Sequence, residues 1–294
     1  MLSIGVFDGV HRGHQAILAR NVEVARERGA EATVLTFRRH PKRLLLGRSP
    51  RTLTTLEHRL ELFEQAGIEH AVALTFDEEL RQLPAPDFAR QLCQEALDVR
   101  LFVLGFDSKF GRNREGSPER LAEWGYPVEV APKVVHAGRA VSSTAIREAV
   151  ELGDLEGARA MLGRRVSVLG RVVRGASLGR EIGFPTANLD LHHELHPPPG
   201  VYATRALLHD QDGRTVDGVT NIGFRPTVAA ETPELPQVEV HLFDFEGDLY
   251  GERLELVFVE HLRGEQRFPN LEALVEQIGR DADRAKAVLT TTPY

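Results

Sequence analysis

Five short apolar runs, separated by stretches with helical spacing, occupy the first half of the chain, and this alternation restricts the available folds more than any other feature. "SIGVF", "EATVLTF", "EHAVALTF", "VRLFVLGF" and "YPVEVAP" read as strands, while Gly13–Arg28, Leu56–Ala66, Asp87–Leu97 and Pro118–Trp124 read as helices. In the first helix Ile17, Leu18, Val22 and Ala25 share a face, with Arg20, Glu23, Arg26 and Glu27 elsewhere. Strands alternating with helices build an α/β domain with a mostly parallel sheet, and ligands bind beyond the carboxyl ends of its strands.

Near residue 162 the texture changes. "VSVLGRVV", "VYATRALL", "TVDGVTNIG", "QVEVHLFDF" and "RLELVFVEHL" are strand-like runs divided by Gly, Pro and Asp, and they predict a small antiparallel β-barrel. A final helix follows, with an apolar stripe of Leu271, Leu274, Val275, Ile278, Ala282 and Ala285. "LGDLEGARAMLGR" is the expected joint, giving domains 1–160 and 161–294. At 294 residues and 42% apolar composition, each domain has material for its own core. No run is long enough to span a membrane and no leader pattern opens the chain, so a soluble cytoplasmic protein with no membrane partner is expected. The net charge of −7 argues against nucleic-acid binding, so an anionic substrate must be held by local arginines. Cys93 is the single cysteine, excludes an intrachain disulfide and reads as a buried helical position.

Three stretches carry chemistry. In Ser3–Leu18 a strand runs through a glycine turn into a helix, where free backbone amides and the helix dipole favour phosphate. Gly5 and Gly9 permit close backbone approach, and His11 and His14 can donate to phosphate oxygens; a plain turn with solvated histidines is the alternative. Two histidines alone do not make a zinc site. Gly170–Leu189 combines glycines with Arg171, Arg174 and Arg180 before "PTAN", a loop able to wrap polyphosphate, although glycines after a strand also serve as simple turns. In "VEVH", alternation puts Val238, Val240 and Leu242 on one face and Glu239 with His241 on the other. "HHELH", His192–His196, reads as a solvent loop.

The run G-x-F-D-G-x-H-x-G-H, Gly5–His14, resembles the signature of the nucleotidyltransferase superfamily. "VLGFDSKFGRNREG" and "VSSTAIREAV", with "FRRHP" and "RTLTTLEHR", resemble the FMN adenylyltransferase module of the bacterial bifunctional riboflavin kinase/FAD synthetase family. "GRVVRGASLGREIGFPTANL", "GVYA", "GVTNIGFRPTV", "VEVHLFDFEGDLYG" and "LRGEQRF" resemble its flavokinase module, so the resemblance covers nearly the whole chain in the family's order. It implies a Rossmann-like nucleotidyltransferase domain followed by a barrel kinase domain. Riboflavin, FMN and ATP would be its small-molecule partners, with Mg²⁺ as cofactor and flavins as substrate and product; a homo-oligomer is left open.

By the same resemblance His11 and His14 steady the ATP phosphates, with Gly5, Phe7, Asp8 and Gly9 forming the ATP loop. Asp107, Ser143, Thr144 and Arg147 hold nucleotide and FMN, the hydroxyl pair also capping a helix. In the kinase module Thr186 and Asn188 bind Mg²⁺ with ATP, and Glu239 is the base for the riboflavin 5′-hydroxyl. Gly175, Gly179, Arg180, Gly183 and Arg263 line the ATP and flavin side, with Arg225 and Arg267 as further phosphate candidates. Ser108 stands where the family usually has phenylalanine, which removes an aromatic face.

Overall fold

The computed structural model describes residues 1–294 except 43, 45, 46, 48, 49, 176–178, 180, 181, 212, 225–235, 293 and 294. Arg180 and Arg225 therefore lie outside the described residues. The chain divides into two compact units, Met1–Ile146 with Met161–Gly163, and Arg147–Ala160 with Arg164–Tyr294. Residues 147–160, which sequence texture assigns to the first domain, group with the second unit.

The first unit runs β1 (Leu2–Ile4), α1 (Arg12–Glu27), β2 (Thr33–Phe37), α2 (Leu56–Gln65), β3 (His70–Leu74) and α3 (Glu78–Gln82). It continues with α4 (Ala85–Phe88), which passes into a π-helical stretch at Ala89–Glu95, then β4 (Phe102–Gly105), α5 (Pro118–Glu123) and β5 (Val128–Ala131). All pairings in its sheet are parallel, in the order β3-β2-β1-β4-β5. The chain winds outward from β1 through β2 and β3, then returns to β4 on the other side. The carboxyl ends of β1 and β4 therefore flank the point where a doubly wound sheet opens a crevice.

Both sheet faces are buried, as parallel strands require. Val34 and Val103 join Leu18, Val24 and Phe63 on one side, while Leu35, Phe102 and Leu104 join Phe88, Cys93 and Leu121 on the other. Burial pushes the Cys93 thiol up to about 12, so it behaves as a small apolar residue. The buried stripe of α1 is Leu18, Asn21, Val24 and Ala25. Val22 is only partly buried, and the polar Asn21 enters the core because its amide donates to Ser3 Oγ at 2.8 Å and to the Thr33 carbonyl at 3.1 Å.

Arg59 on α2 is 4% exposed. Its guanidinium donates to the Val6 carbonyl after β1, to the Phe37 carbonyl ending β2 at 2.9 Å, and to Thr36 Oγ1 at 3.2 Å. One cation thus clamps two strand ends.

A short hairpin, β6 (Val135–His136) and β7 (Arg139–Ala140), leads to α6 (Ser143–Glu151) and α7 (Leu155–Leu162). The second unit then forms β8 (Ser167–Val173), β9 (Ala187–Asp190), β10 (Gly200–Leu208), β11 (Arg214–Gly223), β12 (Gln237–Leu242), β13 (Arg253–Arg263) and α8 (Leu271–Thr291). The six strands close into an antiparallel barrel in the order β10-β11-β12-β9-β8-β13. β9 is absent from the sequence expectations because "ANLD" has no apolar alternation, yet it closes the barrel between β12 and β8. Val238 and Val240 face the interior, 1% and 0% exposed, and Val201, Ala203, Val219 and Leu262 on the outer face pack against Ala282, Ala285 and Leu289 of α8.

The "HHELH" segment corrects the expectation of a solvent loop. His192 and His193 are exposed, but Glu194, Leu195 and His196 are buried, and the Glu194 carboxylate accepts from the Leu169 amide at 2.7 Å. A buried carboxylate stays in the fold because it takes up a strand amide.

Arg59→Met is expected to leave the Val6 carbonyl with only the Thr36 hydroxyl at 3.1 Å, to remove the donor to the Phe37 carbonyl, and to destabilise the first unit by roughly 2 kcal/mol, since a buried polar group that loses its partner costs about 1–3 kcal/mol. Calorimetry should show the loss as a lowered melting transition.

Candidate active sites

The loop after β1 is built from unusual backbone. Phe7 and Val10 have φ of 52° and 37°, and Gly9 has φ of 82°. A side chain at Gly9 would stand 2.7 Å from Leu53 Cδ1, so glycine is required both by conformation and by space. Asp8 is 3% exposed, and its Oδ1 accepts from the amides of Leu53 at 2.9 Å and Thr54 at 3.1 Å, while Thr54 Oγ1 accepts from the Gly9 amide at 2.9 Å. The Asp8 carboxylate is turned into the protein and shapes the loop. Phe7 is likewise a core side chain, set edge-on to His14 and Phe63 at ring separations of 5.1 and 5.5 Å.

His11 caps α1, its Nδ1 accepting from the His14 amide at 3.4 Å. The His11 and His14 rings stack at 3.6 Å and 17°. Burial above all, then His11 and Arg59, holds the His14 pKa well below its ordinary value, and His14 Nδ1 is buried without a hydrogen-bond partner among the described residues. Such a neutral ring can donate from one nitrogen and accept at the other.

Ser143 donates to the Asp8 carbonyl at 2.9 Å, which ties the start of α6 to this loop. The helix cap is not the Ser143–Thr144 pair expected from sequence. Ser142 is the cap, its Oγ accepting from the Ala145 amide at 3.3 Å, and this frees Ser143 for the loop and leaves Thr144 exposed. Asp107 is exposed just beyond β4, at the opposite lip of the crevice from Gly5. Arg147 stands one helical turn past Ser143, within the second unit, so the structure does not group it with the histidines.

On the other side of the β1 end lies a cavity of about 620 Å³, floored by Phe37, Phe76, Phe88 and Phe110 and rimmed by Lys42, Arg81, Lys109, Arg112 and Arg114. Gly5 and Val6 form part of its wall, so it adjoins the histidine loop. An aromatic floor with a basic rim fits a flat ring system that carries an anion. Sequence reasoning missed this cavity and Arg59, although Phe37, Arg59 and Phe110 all lie in segments it had singled out.

In the second unit strand register gathers the site. Arg263 of β13 pairs with Val201, Val201 with Asn221, Asn221 with Glu239, Glu239 with Asn188, and Asn188 with Val173. These positions form one girdle round the barrel, and paired residues project to the same face. Glu239 and His241 are half-buried on that outer face. A cavity of about 490 Å³ lies over it, lined by Thr186, Asn221, Glu239 and Arg263 from the barrel side and by Leu274 and Ile278 of α8.

The glycine loop closes on the same place. A side chain at Gly175 would meet the Asn188 amide nitrogen at 2.1 Å, and one at Gly179 would approach Thr186 Oγ1 to 3.2 Å and the Phe184 carbonyl to 2.3 Å. Gly183 takes φ of 87°, and the His241 ring bonds the Pro185 carbonyl at 2.8 Å. Arg263 lines this cavity and pairs its guanidinium with Asp281 through contacts of 2.7, 3.0 and 3.1 Å. Arg267 is exposed.

Comparison with known proteins agrees with this division of labour. Residues 1–145 match the FAD synthetase family model, and residues 162–289 match the riboflavin kinase model. A bifunctional riboflavin kinase/FMN adenylyltransferase from Pseudomonas fluorescens is 41% identical, covering 99% of this chain and 94% of the relative. Those from Escherichia coli K12 and Bacillus subtilis are 38% and 34% identical, covering 96% and 97% of this chain and 90% and 91% of the relatives. A crystal structure described as a macrolide-efflux protein from Streptococcus pneumoniae shares the fold, with a TM-score of 0.82 at 27% identity over 99% of this chain and 94% of that one. Among the described residues no helix is long and apolar enough to cross a membrane.

The two matched regions define a two-domain transferase of flavin-cofactor synthesis. The chain belongs to the bifunctional riboflavin kinase/FMN adenylyltransferase family. Its C-terminal module phosphorylates riboflavin to FMN with ATP, and its N-terminal module adenylylates FMN to FAD.

His14 gives a pH test of the first site. Its folded pKa lies below the ordinary 6.5, so the unfolded chain takes up the proton first, and folded stability falls as pH drops through 6.5 towards the lower folded value. His14→Asn should flatten that slope in unfolding measurements between pH 5 and 7.5.

Proposed function

We propose that each catalytic step is carried by the residues gathered at one of the two cavities. For the kinase step, the girdle that pairs Glu239 with Asn188 and Asn221, with Glu239 and Asn221 on the wall of the second cavity, carries the reading. Riboflavin occupies this cavity with its 5′-hydroxyl towards Glu239. The carboxylate takes the hydroxyl proton as the oxygen attacks the γ-phosphorus of ATP, the bond to the bridging oxygen breaks, and ADP leaves. The glycine loop at Gly175, Gly179 and Gly183 holds the nucleotide against the barrel.

Magnesium fits the oxygens at hand. Thr186 Oγ1 and the Asn188 carboxamide oxygen are hard donors, and glycine at 175 and 179 lets the loop backbone pack directly against both side chains. These two residues would hold the ion with the ATP phosphates, where it supplies charge neutralisation.

For adenylyl transfer, the flavin ring of FMN occupies the aromatic cavity of the first unit, and its phosphate oxygen attacks the α-phosphorus of a second ATP, expelling pyrophosphate. The His11 and His14 rings donate to phosphate oxygens, assisted by the amides at the start of α1. Asp107 and Thr144 are the nucleotide-side candidates in this unit. Asp8, Thr54 and Ser143 keep the loop in place.

Chromatographic time courses with riboflavin, ATP and Mg²⁺ separate these roles. Glu239→Gln is expected to lower FMN formation by roughly 10²–10⁴-fold while added FMN is still converted to FAD. His14→Asn should do the reverse, lowering FAD formation by about 10²–10³-fold with FMN accumulating. Thr186→Val should raise the Mg²⁺ concentration needed for half-maximal kinase activity. Unchanged kinase turnover in Glu239→Gln would reject Glu239 as the base.

A further inference from the structure

The second cavity has a wall that no strand supplies. Glu265, Gln266 and Phe268 line it, and they lie in the connection between β13 and α8. This connection is held by a buried charge. Asp281 of α8 is 6% exposed and accepts from Arg263 Nε and Nη2, with the shortest contact 2.7 Å, while its Oδ1 also accepts from Gln277 at 2.9 Å. Arg263 in turn donates from Nη1 to the Gly264 carbonyl at 2.9 Å, and its guanidinium lies 5.7 Å from the centre of the Phe268 ring. Glu265 reaches across to accept from the Phe224 amide at 3.4 Å. A line of contacts therefore runs from α8 through Asp281 and Arg263 to both ends of the 264–268 connection.

We propose that Asp281, acting through Arg263, is a positioning residue that fixes the 264–268 wall and thereby sets the affinity of the kinase module for riboflavin. The inference rests on the reading of this cavity as the riboflavin site. Bidentate pairing consumes the directed donors of Arg263, and the aromatic ring over the guanidinium leaves its remaining capacity to the connection rather than to phosphate. Without the carboxylate, a guanidinium on the wall that also carries Glu239 is released towards the cavity, and Phe268 loses its platform. Riboflavin affinity then falls. The chemistry at Glu239 and the glycine loop for ATP remain in place.

The experiment is steady-state kinase kinetics of the full chain, with conversion of added FMN to FAD measured in each preparation as a control on the other module. Asp281→Asn is expected to raise the KM for riboflavin tenfold or more, with kcat within about twofold and the KM for ATP unchanged. Asp281→Glu should restore most of the affinity, and the milder Gln277→Leu should give a smaller rise of the same kind. Loss of kcat at constant KM for riboflavin, in both Asp281→Asn and Gln277→Leu, would reduce the pair to a plain support of the barrel and overturn the proposal. A rise in the KM for ATP instead would return Arg263 to the phosphates and overturn it as well. Leu274→Trp, which fills the cavity, separates the two levels of the argument. If it leaves the KM for riboflavin unchanged, the cavity is not the riboflavin site; if it blocks riboflavin while Asp281→Asn does not, only the role of Asp281 fails.

Discussion

A strand that ends at the edge of a ligand crevice leaves backbone groups that neither helix nor sheet can pair, and burying them unpaired is expensive. The first unit meets this constraint with two buried charges. Arg59 donates to carbonyls at the ends of β1 and β2, and Asp8 accepts amides from the Leu53–Thr54 segment. Between them they hold a loop whose backbone would otherwise relax from its positive φ angles. The stacked histidines depend on that loop, because both project from the turn it makes into α1.

The second unit meets the same constraint by closure. Every strand of the barrel has two neighbours, and the one buried acid of the "HHELH" segment takes up a strand amide. With no strand edge to protect, the outer face is free to carry chemistry. Register does the assembling: Asn188, Asn221 and Glu239 are up to 51 residues apart in the chain, yet ladder pairing makes them adjacent.

Most of this architecture is legible in the sequence, for identifiable reasons. The helices α1, α2 and α5 are found within a residue or two because apolar periodicity and N-capping residues agree, and Glu239 is placed on the outer face because strict alternation leaves no other arrangement. The failures share a cause. β9 is polar, Asn21 and Glu194 are buried polar residues, and Ser142 rather than Ser143 caps α6. Each depends on a partner distant in the chain or on one hydrogen bond, which local pattern does not encode. Arg263 illustrates the point: its motif marks it as a candidate ligand, and only the fold brings Asp281 to it.

The girdle on β12 has a consequence for how this chain can change over generations. Alternation makes the strand a two-state device, with Val238 and Val240 inward and Glu239 outward. A point substitution alters one side of that device, whereas an insertion or deletion of one codon within β12 exchanges the sides, burying a carboxylate among valines and turning an aliphatic row to the cavity. The fold therefore tolerates a change of composition along this strand more readily than a change of its length.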